Sequence, residues 1–121
     1  MEHLFINTKA TNVELTDERM SLIRKRLASI TRVLRQAGGS ELNVVIRGSS
    51  ARDGSVMYFV SLKAIGEHEN FMAVAAKPHL GLALSAAAHM LRQAMSRGES
   101  VTERYASHLT PSQFEAFTLT L

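Results

Sequence analysis

The sequence has no cysteine and no tryptophan, and only two of its 121 residues are proline. Without cysteine, thiolate metal sites and cysteine nucleophiles are excluded, and a secreted scaffold held by disulfides is disfavoured. No apolar run reaches the ~20 residues that a membrane span needs. Residues 1–9 lack the basic and then apolar order of a signal peptide. These absences predict a cytoplasmic protein that has no membrane partner.

Length and charge narrow the remaining classes. A chain of 121 residues indicates one main domain that can bury roughly 65% of its unfolded surface and needs no metal to fold. Residues 1–98 hold 13 Lys/Arg and 8 Asp/Glu, a balance of +5, whereas residues 99–121 hold one Arg and three Glu, a balance of −2. We therefore expect a basic domain over residues 1–98 and a separate C-terminal tail over residues 99–121. A basic excess attracts nucleic acid where it is clustered.

Residues 16–36 carry the clearest helix signal. Apolar side chains recur there at spacings of three and four, which places them on one side of a helix. These residues are Met20, Ile23, Leu27, Ile30 and Leu34. Thr16 is a candidate N-cap, and Gly38 and Gly39 end the pattern. The other positions are mostly basic, so the segment predicts a cationic helix with one buried side.

Most of the rest of the domain shows the residue alternation that is typical of β-strands. Period-2 patterns predict four strands, at residues 3–9, 42–48, 56–65 and 71–77. Residues 10–15 read as an extended link to the first helix, and Asp53 and Gly54 as the turn between the second and third strands. Residues 79–97 form a second amphipathic helix. The predicted fold is α+β with the order β-α-β-β-β-α, in which two helices pack on one face of a four-stranded sheet.

The alternation also assigns the two faces of the sheet. The face under the helices is predicted to hold Leu4, Ile6, Val44, Ile46, Tyr58, Val60 and Leu62. The opposite face is predicted to hold Phe5, Val45, Met57, Phe59, Ile65, Met72 and Val74. So large an apolar patch needs a cover, either the tail with Phe114, Phe117, Leu119 and Leu121 or a second copy of the chain. A register shift or a bulge that turns some of these residues inward is the alternative.

The sequence carries no pattern of enzyme chemistry. Its five histidines form no pair at metal-ligand spacing, so we expect no metal. Glu67, His68 and Glu69 lie in a polar turn, where no pocket can shift a carboxyl pKa. Phosphate-cradling glycine loops and nucleophile elbows are absent. The prediction is a protein without catalytic residues, cofactor or small-molecule substrate.

Three segments carry a family resemblance. They are A-T-N-V-E-L-T at residues 10–16, K-R-L-A at residues 25–28, and the basic end of the second helix around Leu91. Over residues 3–98 the chain resembles the ribosome hibernation promoting factor family, also called ribosome-associated inhibitor A or sigma-54 modulation proteins. The resemblance implies a domain similar in plan to double-stranded RNA-binding domains. It also implies binding to 16S ribosomal RNA in the small-subunit channel, where the protein blocks translation or stabilises dormant ribosomes by occupation.

The basic positions of the family can be placed on this sequence. Lys25 and Arg26 match those of the first helix, and Arg97 matches the last lysine of the second helix. Ser29, Met90 and Gln93 stand where the family has basic residues. With His89 as a hydrogen-bonding partner, the predicted RNA-binding set is Arg24, Lys25, Arg26, Arg32, Arg35, His89, Arg92 and Arg97. Guanidinium forks match phosphate oxygens and release counterions when they bind.

Two other interpretations remain open at this level. Charges on an amphipathic helix are often only its solvated face. The chain can also be a diverged interaction module that kept the fold and lost much of the RNA surface. Such a module would work as a homodimer, or on a protein partner, through the apolar sheet face.

Overall fold

The computed structural model describes residues 4–66 and 69–99, and the predicted tail lies outside them. The elements are β1 (Phe5–Thr11), α1 (Asp17–Gln36), β2 (Glu41–Ser50), β3 (Val56–Ile65), β4 (Asn70–Lys77) and α2 (Leu80–Arg97). The four strands form one sheet in the order β1-β2-β3-β4. β1 is parallel to β2, and the other neighbours are antiparallel. The predicted α+β fold and its β-α-β-β-β-α order are confirmed.

α1 begins and ends where its sequence signals indicate. The Thr16 hydroxyl accepts a hydrogen bond from the backbone N–H of Arg19 at 3.2 Å, which caps the first turn. After the last turn Gly38 has φ +78, a conformation that glycine adopts without strain. The side chains that α1 buries are Ile23, Leu27, Ile30 and Leu34. The stripe with spacings of three and four is therefore the core-facing side of the helix.

The core lies between the helices and one face of the sheet. Its strand side chains alternate in each strand, and they include Leu42, Val44, Ile46, Val60, Leu62, Ala64, Phe71, Ala73 and Ala75. α2 adds Leu80, Ala83, Leu84, Ala87, Ala88 and Leu91. At roughly 25 cal/mol per Å² of buried apolar surface, this layer supplies the main driving force for folding.

One prediction about β1, the residue at which the strand ends, is wrong. The strand extends through Ala10 and Thr11, which pair with Ile46 and Arg47, instead of ending at Lys9. Alanine and threonine give no apolar alternation, so only the pairing with β2 reveals that these two residues are strand. Ile6 pairs with Leu42 and so lies on the face under the helices, as predicted, yet it is 44% exposed. The reason is that β1 is the edge strand, whereas the buried core lies over β2, β3 and β4.

The sheet face opposite the helices is called the open face, because no helix or strand of residues 4–66 and 69–99 covers it. The seven apolar residues predicted for this face do alternate with the core positions in their strands. They do not form a continuous exposed patch, since Val45 and Met72 are buried. Register also places Lys9 beside Val45 and Lys63 between Asn43 and Met72. The open face thus carries both apolar and basic side chains.

The β2–β3 connection contains the predicted turn. Gly54 has φ +87 and its N–H donates to the Ala51 carbonyl at 3.0 Å. The Ser55 hydroxyl and backbone N–H donate to Oδ1 of Asp53 at 2.7 Å and 2.9 Å. These hydrogen bonds stabilise the carboxylate and hold the pKa of Asp53 below its ordinary value.

Candidate nucleic-acid interface

Four of the predicted cations form one exposed ridge along α1. We call Arg24, Lys25, Arg32 and Arg35 the basic ridge. Lys25 and Arg32 are two helical turns apart, on the side opposite the buried stripe, and Arg24 and Arg35 lie together on one flank. None of the four forms an ion pair with a residue that the structure describes. Their charges are therefore available to an anionic partner, spread over about 16 Å of helix axis.

Arg26 has a different position and spans the two helices. Its Nη1 donates to the Ser85 hydroxyl of α2 at 3.3 Å. Gly81, one turn earlier, lies beside the guanidinium, and a Cβ there would make an ordinary contact of 3.5 Å with Nη2 of Arg26. Arg26 remains exposed. It lines the groove between α1 and α2 and does not belong to the basic ridge.

A polar stripe on α2 continues along this groove. Ser85, His89 and Arg92 follow at spacings of four and three, so they share one flank of the helix. Because Ser85 contacts Arg26, that flank faces α1. His89 and Arg92 are both exposed. The structure thus brings Arg26, His89 and Arg92 to one groove, beside the basic ridge.

The end of α2 contributes less positive charge than the sequence predicts. Nη1 of Arg97 lies 3.7 Å from Oε1 of Glu99, with both side chains largely exposed. Met90 occupies a neighbouring part of the surface and is 42% exposed. An exposed ion pair is weak, about 0–1 kcal/mol, but it places a carboxylate beside the cation that a phosphate would contact. Arg97 is therefore the least favourable member of the predicted set.

Sequence reasoning missed a cleft at the start of α1. A surface cleft of about 370 Å³ is lined by Arg19, Arg47, Tyr58 and the link at residues 12–14, among others. Arg19 donates from Nη1 to the Glu14 carbonyl at 2.7 Å, which fixes its direction. The pairing of Thr11 with Arg47 brings these segments together. No spacing in the sequence indicates that Arg19 and Arg47 line the same cleft, because this depends on the parallel register of β1 and β2.

Other kinds of site find no support in the described residues. Among residues 4–66 and 69–99 there is no group of three or more metal-ligating side chains. The predicted polar turn at Glu67, His68 and Glu69 lies partly outside the described residues, and Glu69 is exposed. No helix in the described part of the chain is long and apolar enough to cross a membrane. The cationic surface of the two helices is the best-developed candidate site.

Solved structures with similar folds include two bacterial proteins. A ribosomal subunit interface protein from Coxiella burnetii aligns with a TM-score of 0.64 and 14% identity, over 78% of this chain and 97% of that chain. The N-terminal domain of Protein Y from Thermus thermophilus aligns with a TM-score of 0.57 and 20% identity, over 79% and 96% of the two chains. At these identities the similarity establishes the shared fold. No protein-family model and no curated protein sequence matches the chain.

Proposed function

We propose that this protein is a non-catalytic ribosome-associated factor that binds 16S ribosomal RNA of the small subunit. The basic ridge is the main contact, and Arg26, His89 and Arg92 in the helix groove are secondary contacts. Bound there, the protein blocks translation or stabilises dormant ribosomes by occupying space. It is a cytoplasmic protein that needs no cofactor and no substrate.

The observation that carries this proposal is the basic ridge. It presents four exposed cations on a rigid helix with no carboxylate partner among the described residues. Side chains of this kind bind phosphates, position a protein on RNA and read no sequence. The fold adds support, because one protein that shares it is a ribosomal subunit interface protein.

A salt-dependent co-sedimentation assay with purified small subunits tests the proposal. In the double variant Lys25→Glu, Arg32→Glu we expect binding to weaken at least about tenfold, because two charge-assisted phosphate contacts become repulsive. Both side chains are exposed, so the melting temperature should stay close to that of the parent protein.

A matched control carries the same charge change elsewhere. Arg52→Glu with Lys77→Glu alters two exposed cations, one in the β2–β3 turn and one at the end of β4. This control should bind nearly as well as the parent. Equal loss in both variants would mean that only net charge matters, and unchanged binding of the ridge variant would rule out the phosphate contacts.

A second candidate function rests on the open face. Phe5 is 70% exposed and Met57 is 38% exposed on this face, which suits an apolar partner. In that case the protein is a homodimeric or partner-binding module, and its interactions survive high salt. Binding to small subunits that falls steeply with salt favours the RNA proposal over this one.

A further inference from the structure

The centre of the open face is shielded from water. Val45 and Ser61 are each 2% exposed, and Met72 on the next strand is also buried. Both helices pack on the other face of the sheet. Side chains at the centre of a bare sheet face are ordinarily half solvated, so this degree of burial calls for a covering segment.

The described chain ends beside the rim of this face. At the end of α2 the Glu99 N–H donates to the Ala94 carbonyl at 2.8 Å. Met95, in the same turn, lines a cavity together with Gly66 and Glu69. The last turn of α2 therefore lies next to the β3–β4 connection, where Ile65 ends β3 on the open face. The described chain thus ends beside the end of the sheet where β3 finishes and β4 begins.

The length and composition of residues 100–121 suit a segment that covers the open face. Such a segment can extend to about 70 Å, whereas four strands are only about 19 Å wide. Its charged side chains are confined to Glu103, Arg104 and Glu115, apart from His108. Its large apolar residues are Val101, Tyr105, Leu109, Phe114, Phe117, Leu119 and Leu121. A segment with so many aromatic and leucine side chains gains free energy by leaving water.

Charge favours this segment over a second copy of the chain. The open face carries Lys9, Arg47 and Lys63 against one acid, Glu41. Two copies packed through this face would bring six cations and two acids into one interface. Residues 100–121 instead carry two acids against one arginine, so their charge is opposite to that of the face.

We propose that residues 109–121 pack across the open face of their own chain. Phe114 and Phe117 are the main apolar contacts, and they cover the region around Val45 and Met72. The covered face makes the domain a monomer with a three-layer arrangement of helices, sheet and C-terminal segment. This inference does not depend on RNA binding, since the basic ridge lies on the opposite side of the molecule.

The absence of native cysteine allows a direct test on the full chain. A nitroxide spin label is attached at Thr118→Cys, and amide NMR signals are compared before and after reduction of the label. We expect signal loss for amides of the central strands, around Val45, Ser61 and Val74, and none for the exposed side of α1. A control label at Ser29→Cys on α1 should broaden the helices and spare these strand amides.

Two further samples make the result decisive. In the Phe114→Ser, Phe117→Ser background, the label at Thr118→Cys should no longer affect the strands. When isotope-labelled chains without the nitroxide are mixed with unlabelled chains that carry it, no signal loss is expected. Strand broadening in the mixed sample would instead make the face an interface between copies, and absence of strand broadening in the first sample would overturn the proposal.

Discussion

Gly48 shows how a single residue determines the approach of two segments. A Cβ at this position would lie 2.7 Å from the Asn12 carbonyl oxygen and 2.9 Å from Cγ2 of Val13. The Asn12 oxygen belongs to the backbone, so it cannot rotate away as a flexible side chain can. Asn12 itself has φ 58, which turns the chain from β1 toward α1. Glycine is thus required where β2 passes the link that positions the first helix.

We predict opposite effects for alanine at two glycines. Gly48→Ala should lower the free energy of unfolding by about 1–3 kcal/mol, because the added methyl overlaps the backbone of the link. Gly81→Ala should leave it unchanged or raise it by up to about 1 kcal/mol, since the new methyl meets only the Arg26 guanidinium at 3.5 Å and alanine favours the helix. Urea denaturation of both variants measures the difference, and equal effects would contradict the assigned overlap.

Predictability from sequence differs among the site residues. The helical period places Lys25 and Arg32 on the side of α1 opposite Ile30 and Leu34. Their exposure, and with it the basic ridge, can therefore be predicted from the sequence. The contact of Arg26 with Ser85 is not, because it depends on how α1 and α2 pack together. The role of Gly48 cannot be predicted from the sequence either, because a glycine in a strand pattern does not show which segment approaches it.

Among the secondary-structure elements, α1 supports most of the proposed site, and its first turn is held by one side-chain hydrogen bond. Removal of the Thr16 hydroxyl in Thr16→Ala should lower the free energy of unfolding by about 1 kcal/mol, because the Arg19 N–H loses its acceptor. Thr16→Ser restores the acceptor and should recover most of that loss. Thermal or urea unfolding of the three proteins gives the comparison. A serine variant as unstable as the alanine variant would show that the methyl group, not the hydrogen bond, matters.

The bounds of a helix or strand could be predicted where its hydrophobic periodicity and its end signals agree. α1 has both a stripe and a cap, and β3 has ten alternating residues, so their bounds match the prediction. β1 lacks such support at Ala10 and Thr11, and its end is determined by the ladder with β2. The burial of Val45 and Met72 also exceeds what alternation indicates. Alternation assigns a face to a side chain, but it does not say what covers that face.

At the scale of the whole molecule, positive charge is unevenly shared between the helices. The basic ridge holds four unpaired cations among the described residues, whereas Arg97 on α2 lies beside Glu99. The exposed surface of α2 also contains apolar side chains, Leu82 and Met90. If the proposed RNA contact is correct, electrostatic binding energy comes mainly from α1, and the salt dependence of binding measures that share.

The slope of log K against log salt provides the measurement. Each phosphate contact adds roughly 0.7–0.9 to the magnitude of this slope, so Lys25→Gln with Arg32→Gln should reduce it by about 1.5. Arg92→Gln with Arg97→Gln removes the same formal charge, but we expect a smaller reduction because the carboxylate of Glu99 lies beside Arg97 and opposes a phosphate contact there. Titrations with small subunits at several salt concentrations compare the two pairs. Equal reductions would assign the contact to both helices equally. A slope that neither pair changes would place the RNA contact away from these four side chains, as at the Arg19 and Arg47 cleft or on the basic open face.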